Sequence, residues 1–155
     1  MRPYRVVCLG NVLVDVLVKP VDRLPPKGGL LPVERLEISV GGCASNTALA
    51  LRRLGVTVSL WGKLGKDFFG DFALAHFKKA GLGTTHLPRQ KGVSTSATVV
   101  AVDSRGQRSF FHSMAANDQI HWGDLPLKSL SRHRHLHVGG ISFSPSWMEN
   151  PWPGC

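Results

Sequence analysis

The segment Gly-Gly-Cys-Ala-Ser-Asn-Thr-Ala, residues 41–48, combines features suited to binding a ligand rich in hydroxyl groups. The adjacent glycines Gly41 and Gly42 allow the backbone to turn sharply and to approach a ligand closely. A helix that begins here presents unpaired backbone N–H groups, and Asn46 in its first turn adds an amide that both donates and accepts. The alternative is an ordinary helix N-terminus with Ser45 as its N-cap. Both interpretations place the start of a helix close after the glycine pair.

Asp15 is the second candidate, because it is a carboxylate within the largely apolar segment 6–18. A desolvated carboxylate is costly unless it is paired or faces a ligand. Carboxylates also accept hydrogen bonds from hydroxyl groups, which is a common way for proteins to hold sugars. The alternative is an aspartate at the end of a strand, where it reaches solvent.

Three histidines alternate along the chain near its end: His133, His135 and His137. On a strand, this spacing places three imidazoles on one face, as a metal site would need. Because no carboxylate accompanies them, we expect no metal site here.

The segments around the candidate residues predict an alternating α/β chain, in which a parallel sheet is connected by crossover helices. Two β-rich runs joined by a turn at 103–106 predict a hairpin that forms an appended flap and is not part of the main sheet. The predicted elements are two extended pieces within 5–18, a strand at 33–40, a helix at 45–54 ended by Gly55, a strand at 56–60, a helix after residue 67, the β-rich runs 95–102 and 107–113, a short helix at 122–131 and a strand at 136–138.

The second predicted helix has clear start and stop signals. Asp67 is of the type that caps a helix N-terminus, and Gly81 is of the type that ends one. Phe68, Phe72 and Ala75 are predicted to form its buried stripe.

The composition limits the classes of function. The chain has 155 residues, a typical single-domain length, with 43% apolar and 19% charged residues, which excludes a disordered tail. The net charge of +9 is spread evenly, with ten Lys and Arg against six acids in residues 1–75 and nine against four in 76–155, so we expect no nucleic-acid partner. The apolar run 6–18 is too short to span a membrane, and three scattered cysteines favour a reducing compartment. These features predict a soluble cytoplasmic protein with no membrane partner.

Taken together and in order, four stretches resemble the ribokinase family, also called the PfkB carbohydrate-kinase family. Residues 41–48, followed by Gly55 and Gly65, look like the first signature of that family. Residues 10–15, Gly-Asn-Val-Leu-Val-Asp, resemble its first strand with the substrate aspartate. Residues 62–70 resemble its Gly-x-x-Gly-x-Asp-x-x-Gly segment, while 106–108 and 116–117 resemble the lid turn and the segment after it. The resemblance covers about residues 5–141.

The resemblance implies a kinase that transfers the γ-phosphoryl group of ATP, with Mg²⁺, to a CH2OH group of a small-molecule sugar or nucleoside. It implies an α/β fold, an incomplete Rossmann-like (ribokinase-like) parallel sheet with crossover helices plus a small β lid. The lid segments would be about 16–40 and 95–113, and exposed lid strands would be natural surfaces for a homodimer. The implied substrate-binding residues are Asp15, Gly41, Gly42 and Asn46, with Asn11, Arg108 and Asn117 as weaker candidates.

One part of the family pattern has no counterpart in this sequence. The second signature, Asp-Thr-x-Gly-Ala-Gly-Asp, supplies the general base and the anion hole in that family, and neither it nor a P-loop occurs here. The resemblance therefore implies that no catalytic residue lies in this chain and that the residues for ATP and Mg²⁺ lie elsewhere. Residues 1–141 are predicted to be the N-terminal part of the domain and 142–155 an irregular tail. Two interpretations remain: a sugar kinase cut before its catalytic half, and a non-catalytic sugar-binding or dimerisation fragment.

Overall fold

Strand β1 (Arg5–Gly10) is the central strand of a three-stranded parallel sheet. In the computed structural model, which describes residues 5–121 and 125–140, it pairs with β4 (Thr57–Trp61) on one side and β9 (His135–Gly139) on the other. Its apolar residues are almost fully buried, which is the pattern of a strand covered on both faces. The predicted parallel sheet is confirmed.

Helices α1 (Cys43–Arg53) and α2 (Phe68–Lys79) pack against one face of this sheet. The other face carries a smaller apolar cluster around Trp61. The helices end where the sequence predicted, with Gly55 and Gly81 following them. The main core between sheet and helices includes Val6, Cys8, Val58 and Leu60 from the strands with Ala44, Ala48, Ala73 and Phe77 from the helices.

The predicted buried stripe of α2 is correct only for Phe72, which is partly buried and packs against the core, whereas the predicted cap is correct. Asp67 is the N-cap and accepts a 2.8 Å hydrogen bond from the Gly70 backbone N–H. Phe68, at the first helical position, is 69% exposed, and Ala75 is also exposed. The buried residues are Gly70, Ala73 and Phe77. Because Gly70 has no side chain, this face of the helix approaches the backbone of Gly65, whose carbonyl oxygen would lie 2.3 Å from a methyl group added at position 70.

A second sheet has four strands in the order β3 (Arg35–Gly41), β2 (Leu13–Lys19), β7 (Ala97–Val102) and β8 (Arg108–Ser113). Strand β2 pairs antiparallel with β3 and parallel with β7, while β7 and β8 form an antiparallel hairpin. The turn of this hairpin is the predicted one, and the Asp103 carboxylate accepts hydrogen bonds from the backbone N–H groups of Arg105 and Gln107.

The register of the four-stranded sheet separates a polar face from an apolar one. Asp15, Thr98 and His112 are successive partners across β2, β7 and β8, so they share one face. The opposite face, called the apolar face below, consists of Val14, Val16, Val18, Leu36, Ile38, Val40, Ala97, Val99, Ala101, Ser109, Phe111 and Ser113.

The remaining described elements are short. Strands β5 (Leu64–Gly65) and β6 (Arg89–Gln90) form a two-stranded parallel ladder, and α3 (Ala115–Asp118) follows β8. A 3-10 helix (Leu127–Arg132) occupies the described part of the helix predicted at 122–131, of which 122–124 lie outside the described residues. The predicted tail, 142–155, also lies outside them. Of the helices described, none has the length and apolar character needed to cross a bilayer.

Candidate functional site

Helix α1 begins with backbone N–H groups that no side chain caps. Gly42 is its N-cap, with φ 102° and ψ 143°, and the first intrahelical bond runs from Asn46 N to Gly42 O at 2.9 Å. The predicted capping role of Ser45 is wrong, because the helix starts two residues earlier and the Ser45 hydroxyl donates back to the carbonyl oxygens of Gly41 and Gly42. The N–H groups of residues 43–45 therefore have no acceptor within the helix and suit a ligand oxygen.

The Asp15 carboxylate lies directly beside the start of α1. A methyl group added to Gly41 would lie 2.1 Å from Asp15 Oδ2, so the carboxylate occupies the space that any side chain at position 41 would need. The β2–β3 pairing produces this proximity, because Leu13 is opposite Gly41 and Asp15 is two residues further along the same strand. The structure thus places an acceptor beside the glycine that directly precedes the N-cap of α1.

The environment of Asp15 is partly desolvated. Burial raises the pKa of this carboxyl above 3.8, while a hydrogen bond from Thr98 and the nearby His112 act to lower it. Such a carboxylate gains from any ligand that supplies hydroxyl donors to replace the lost water.

Two asparagines support the connection between β1 and β2. Asn11, at the carboxyl end of β1, is 8% exposed, and its carbonyl oxygen lies 2.2 Å from where a methyl group on Gly42 would be. Asn117 is 1% exposed, and its Oδ1 accepts a 3.1 Å hydrogen bond from Val12 N. Asn117 therefore fixes the connection that leads to Asp15 from the interior of the protein.

The structure brings most of the predicted site residues together. Asp15, Gly41, Gly42 and Asn11 are neighbours, and exposed Asn46 is one turn into α1. Asn117 is adjacent to them but buried. Arg108 does not belong to this group. It is exposed at the first residue of β8, four residues and about 13 Å along the strand from His112, which lies in the same cross-strand row as Asp15.

The sequence interpretation missed two polar residues on the face of Asp15. Thr98 and His112 are cross-strand partners, and Thr98 Oγ1 lies 2.9 Å from His112 Nδ1. Their pairing follows from the predicted hairpin, since Thr98 lies five residues before its turn at 103–106 and His112 lies six residues after it. Their proximity to Asp15 depends on the parallel pairing of β2 with β7, which no local pattern indicates.

The side chains that most often ligate metal ions lie apart from one another in the described part of the chain. Within 5–121 and 125–140, no group of three or more His, Cys, Asp or Glu side chains comes together. His133 does not share a strand face with His135 and His137, because it precedes β9 and its Nε2 lies 3.4 Å from Ser59 Oγ.

Asp67 links α2 to the base of the four-stranded sheet. Its Oδ1 accepts from the Gly70 N–H and from the Thr95 hydroxyl at 2.7 Å, and its Oδ2 accepts from Thr95 N at 2.6 Å. Burial alone would raise the pKa of Asp67, but the bonds from Thr95 and Gly70, together with nearby Arg89, hold it below 3.8. The ionised carboxylate thus stabilises the junction between α2 and the four-stranded sheet.

Asp67→Ala is expected to lower the free energy of unfolding at neutral pH by about 1–2 kcal/mol, because it removes a cap and two anchors of Thr95. The lowered pKa means that this stability is present above 3.8 and is lost as pH falls through the folded-state value. The urea-unfolding midpoints of the wild type and of Asp67→Ala should therefore converge in acid.

Asp71→Ala is the matched control, because Asp71 is an exposed carboxylate in the first turn of the same helix, paired with Arg89. An exposed ion pair of this kind contributes about 1 kcal/mol or less to the free energy of unfolding. Equal losses in the two variants at neutral pH would contradict the anchoring role of Asp67.

Comparisons of the sequence and of the structure with known proteins point to the same family. The chain matches the family described as pfkB family carbohydrate kinase over residues 4–150. It is 29% identical over 141 residues to a fructokinase from Rhizobium leguminosarum bv. trifolii, covering 91% of this chain and 40% of that protein. It resembles the solved structure of a fructokinase with bound ATP from Xylella fastidiosa, with 32% identity, a TM-score of 0.72, and coverage of 86% of this chain and 38% of that one. A ribokinase from Giardia lamblia has the same fold, with 24% identity, a TM-score of 0.78, and coverage of 87% and 44%.

These similarities confirm the ribokinase-like fold predicted from the sequence. The chain spans less than half the length of each of these three proteins.

Proposed function

The chain belongs to the pfkB family of carbohydrate kinases, and we propose that it is the sugar-binding part of a kinase that phosphorylates a CH2OH group of a sugar or nucleoside. The observation that carries this proposal is the Asp15 carboxylate beside the uncapped start of α1. The fructokinase relatives favour a sugar over a nucleoside. Asp15, Gly41, Gly42 and Asn46 are the proposed substrate contacts.

The proposed contacts have the chemistry that a polyol requires. The carboxylate accepts hydrogen bonds from two hydroxyl groups, and backbone N–H groups of α1 donate to a hydroxyl oxygen. Because Gly41 and Gly42 have no side chains, nothing at these two positions fills the space beside the carboxylate and the first turn of α1. The four-stranded sheet, with segments at about 16–40 and 95–113, is proposed to act as the lid that excludes water, because exposed ATP would otherwise be hydrolysed.

ATP is proposed as the phosphoryl donor and Mg²⁺ as its metal ion, each bound by residues outside this chain. The support is the relative with bound ATP together with the lack of the second family signature in this sequence. Without a positioned base and a phosphate cradle, the 155-residue chain is expected to bind sugar without phosphorylating it.

Isothermal titration calorimetry of the chain with D-fructose, D-ribose and adenosine tests the proposal. We expect saturable heat with at least one sugar and no release of ADP when ATP and Mg²⁺ are added. A chain with a folded circular-dichroism spectrum that binds none of the three ligands would overturn the proposal.

A specific observation also favours a dimer, the second proposed role. The apolar face of the four-stranded sheet carries no charged residue, and Leu36, Val99 and Phe111 on it are 63%, 39% and 53% exposed. A second copy presents the same uncharged surface, and a two-fold axis would let each face cover the other. We propose a homodimer that forms through this face.

Phe111→Glu is expected to convert a dimer into a monomer in sedimentation velocity, because it places a charge in the centre of the contact. Phe110→Glu is the matched control, since Phe110 is 61% exposed but lies on the opposite face. A wild-type chain that sediments as a monomer at high concentration would contradict the dimer. Equal disruption by both substitutions would contradict the assigned face.

The thiols support a cytoplasmic location, which we also propose. Cys43 is exposed and unpaired, and Cys8 is buried, which raises the pKa of its thiol to about 11. An exposed free thiol persists best in a reducing compartment.

A further inference from the structure

The Asp15 carboxylate is the first member of a row of polar side chains that crosses three strands. Asp15 on β2 is the partner of Thr98 on β7, and Thr98 is the partner of His112 on β8. Thr98 lies beside Asp15 across the paired strands, where its hydroxyl acts to lower the pKa of the carboxyl as a hydrogen-bond donor does. The Thr98 Oγ1 also lies 2.9 Å from His112 Nδ1. Because Thr98 is only 7% exposed, water competes weakly for these bonds.

The direction of each bond follows from the single hydrogen of the Thr98 hydroxyl. An ionised carboxylate only accepts, so Thr98 must donate to Asp15, and its oxygen then accepts from His112 Nδ1–H. This arrangement fixes the tautomer of His112 and leaves Nε2 without a hydrogen in the neutral ring.

A competing arrangement involves Met114, whose Sδ lies 3.1 Å from His112 Nε2. If Nε2–H donated to this sulfur, the neutral ring would turn its Nδ1 lone pair toward Thr98, and the hydroxyl would leave Asp15. A thioether is a weak acceptor, whereas a bond to a carboxylate is about twice as strong as a neutral one. The bond to Asp15 therefore decides the direction.

We propose that Thr98 and His112 are positioning residues for Asp15, joined as His112 Nδ1–H to Thr98 Oγ1 and Thr98 O–H to the Asp15 carboxylate. This chain of bonds orients the carboxylate and leaves its remaining acceptor positions for ligand hydroxyls. The effect on sugar affinity rests on the proposed function, whereas the tautomer of His112 does not.

The first test measures the tautomer by long-range ¹H–¹⁵N correlation of the imidazoles at about pH 8.5, where an ordinary imidazole is neutral. His112→Gln identifies the signals of His112. We expect the Nδ1–H tautomer in the wild type and in Thr98→Ser, and its loss in Thr98→Val. An Nε2–H tautomer in the wild type would overturn the proposal.

The second test titrates D-fructose into the same proteins by calorimetry. Thr98→Val is expected to bind about tenfold more weakly, and Thr98→Ser close to normally, because serine restores the hydroxyl. Thr57→Val, the same change at an exposed position of β4, is the control and should bind like the wild type. Wild-type affinity in Thr98→Val would overturn the positioning role.

A wild-type chain that binds none of D-fructose, D-ribose and adenosine yet shows the Nδ1–H tautomer would have a different meaning. It would count against the proposed function while supporting the bond chain itself.

Discussion

Asp15→Asn is expected to weaken D-fructose binding by about 100-fold or more while the chain stays folded. The carboxylate offers charge-assisted acceptors to two hydroxyl groups, whereas an asparagine amide offers one neutral oxygen and an N–H group. Calorimetric titration of both proteins measures the difference. Glu34→Gln is the control, because it removes an exposed carboxylate and should leave affinity unchanged. Wild-type affinity in Asp15→Asn would refute the assignment of Asp15 as a sugar contact.

The same substitution is expected to stabilise the unliganded chain at neutral pH. Burial raises the pKa of Asp15 above 3.8, so the fold disfavours its charged form. The contribution of Asp15 to the stability of the wild type is therefore most favourable while Asp15 is protonated, and it falls as pH rises from about 3.8 through the raised pKa. An asparagine at this position is never ionised, so the variant avoids the cost of burying a charged carboxylate at neutral pH.

Urea unfolding at about pH 4 and pH 7 measures this change in stability. The midpoint of the variant should exceed that of the wild type at pH 7, and the gap should narrow in acid. A variant less stable than the wild type at pH 7 would show that the ionised carboxylate stabilises the fold. Affinity and stability thus move in opposite directions at this position, as expected where a site is built for a ligand.

The features that the sequence predicted correctly depend on short-range signals. The Gly41 and Gly42 pair, the Asp67 cap and the turn at 103–106 each involve neighbouring residues whose backbone needs are specific. The alternation of strands and helices then restricts the sheet to parallel pairing with crossover helices. The prediction that Asp15 and Gly41 belong to one site came from the resemblance of the ordered motifs to a family, whereas their closeness in the structure comes from the pairing of β2 with β3.

The features that the sequence did not predict depend on long-range pairing or on packing. Thr98 meets Asp15 only because β2 pairs with β7 across 83 residues. Phe68 looks like a core residue by type, yet the close approach of Gly70 to Gly65 turns another stripe of α2 inward. Ser45 is a good cap by type, but the backbone conformation of Gly42 starts the helix earlier.

Gly42→Ala is expected to lower the free energy of unfolding by about 4 kcal/mol or more, which leaves little of the marginal stability of a small domain. Two costs add here. The backbone at φ 102° and ψ 143° is close to a region that essentially only glycine adopts. The new methyl group would also lie 2.2 Å from the Asn11 carbonyl oxygen, a backbone atom that cannot rotate away.

Gly106→Ala separates these two costs. Gly106 also has a positive φ, 82°, but an added methyl group meets nothing within 4 Å, so only the conformational cost of about 1 kcal/mol applies. Urea unfolding monitored by circular dichroism should show a much larger loss for Gly42→Ala than for Gly106→Ala. Equal midpoints would mean that the backbones of residues 11 and 42 are not in contact. In that case the start of α1 would not be held against the end of β1, and the donors proposed to bind the sugar would lack a fixed position.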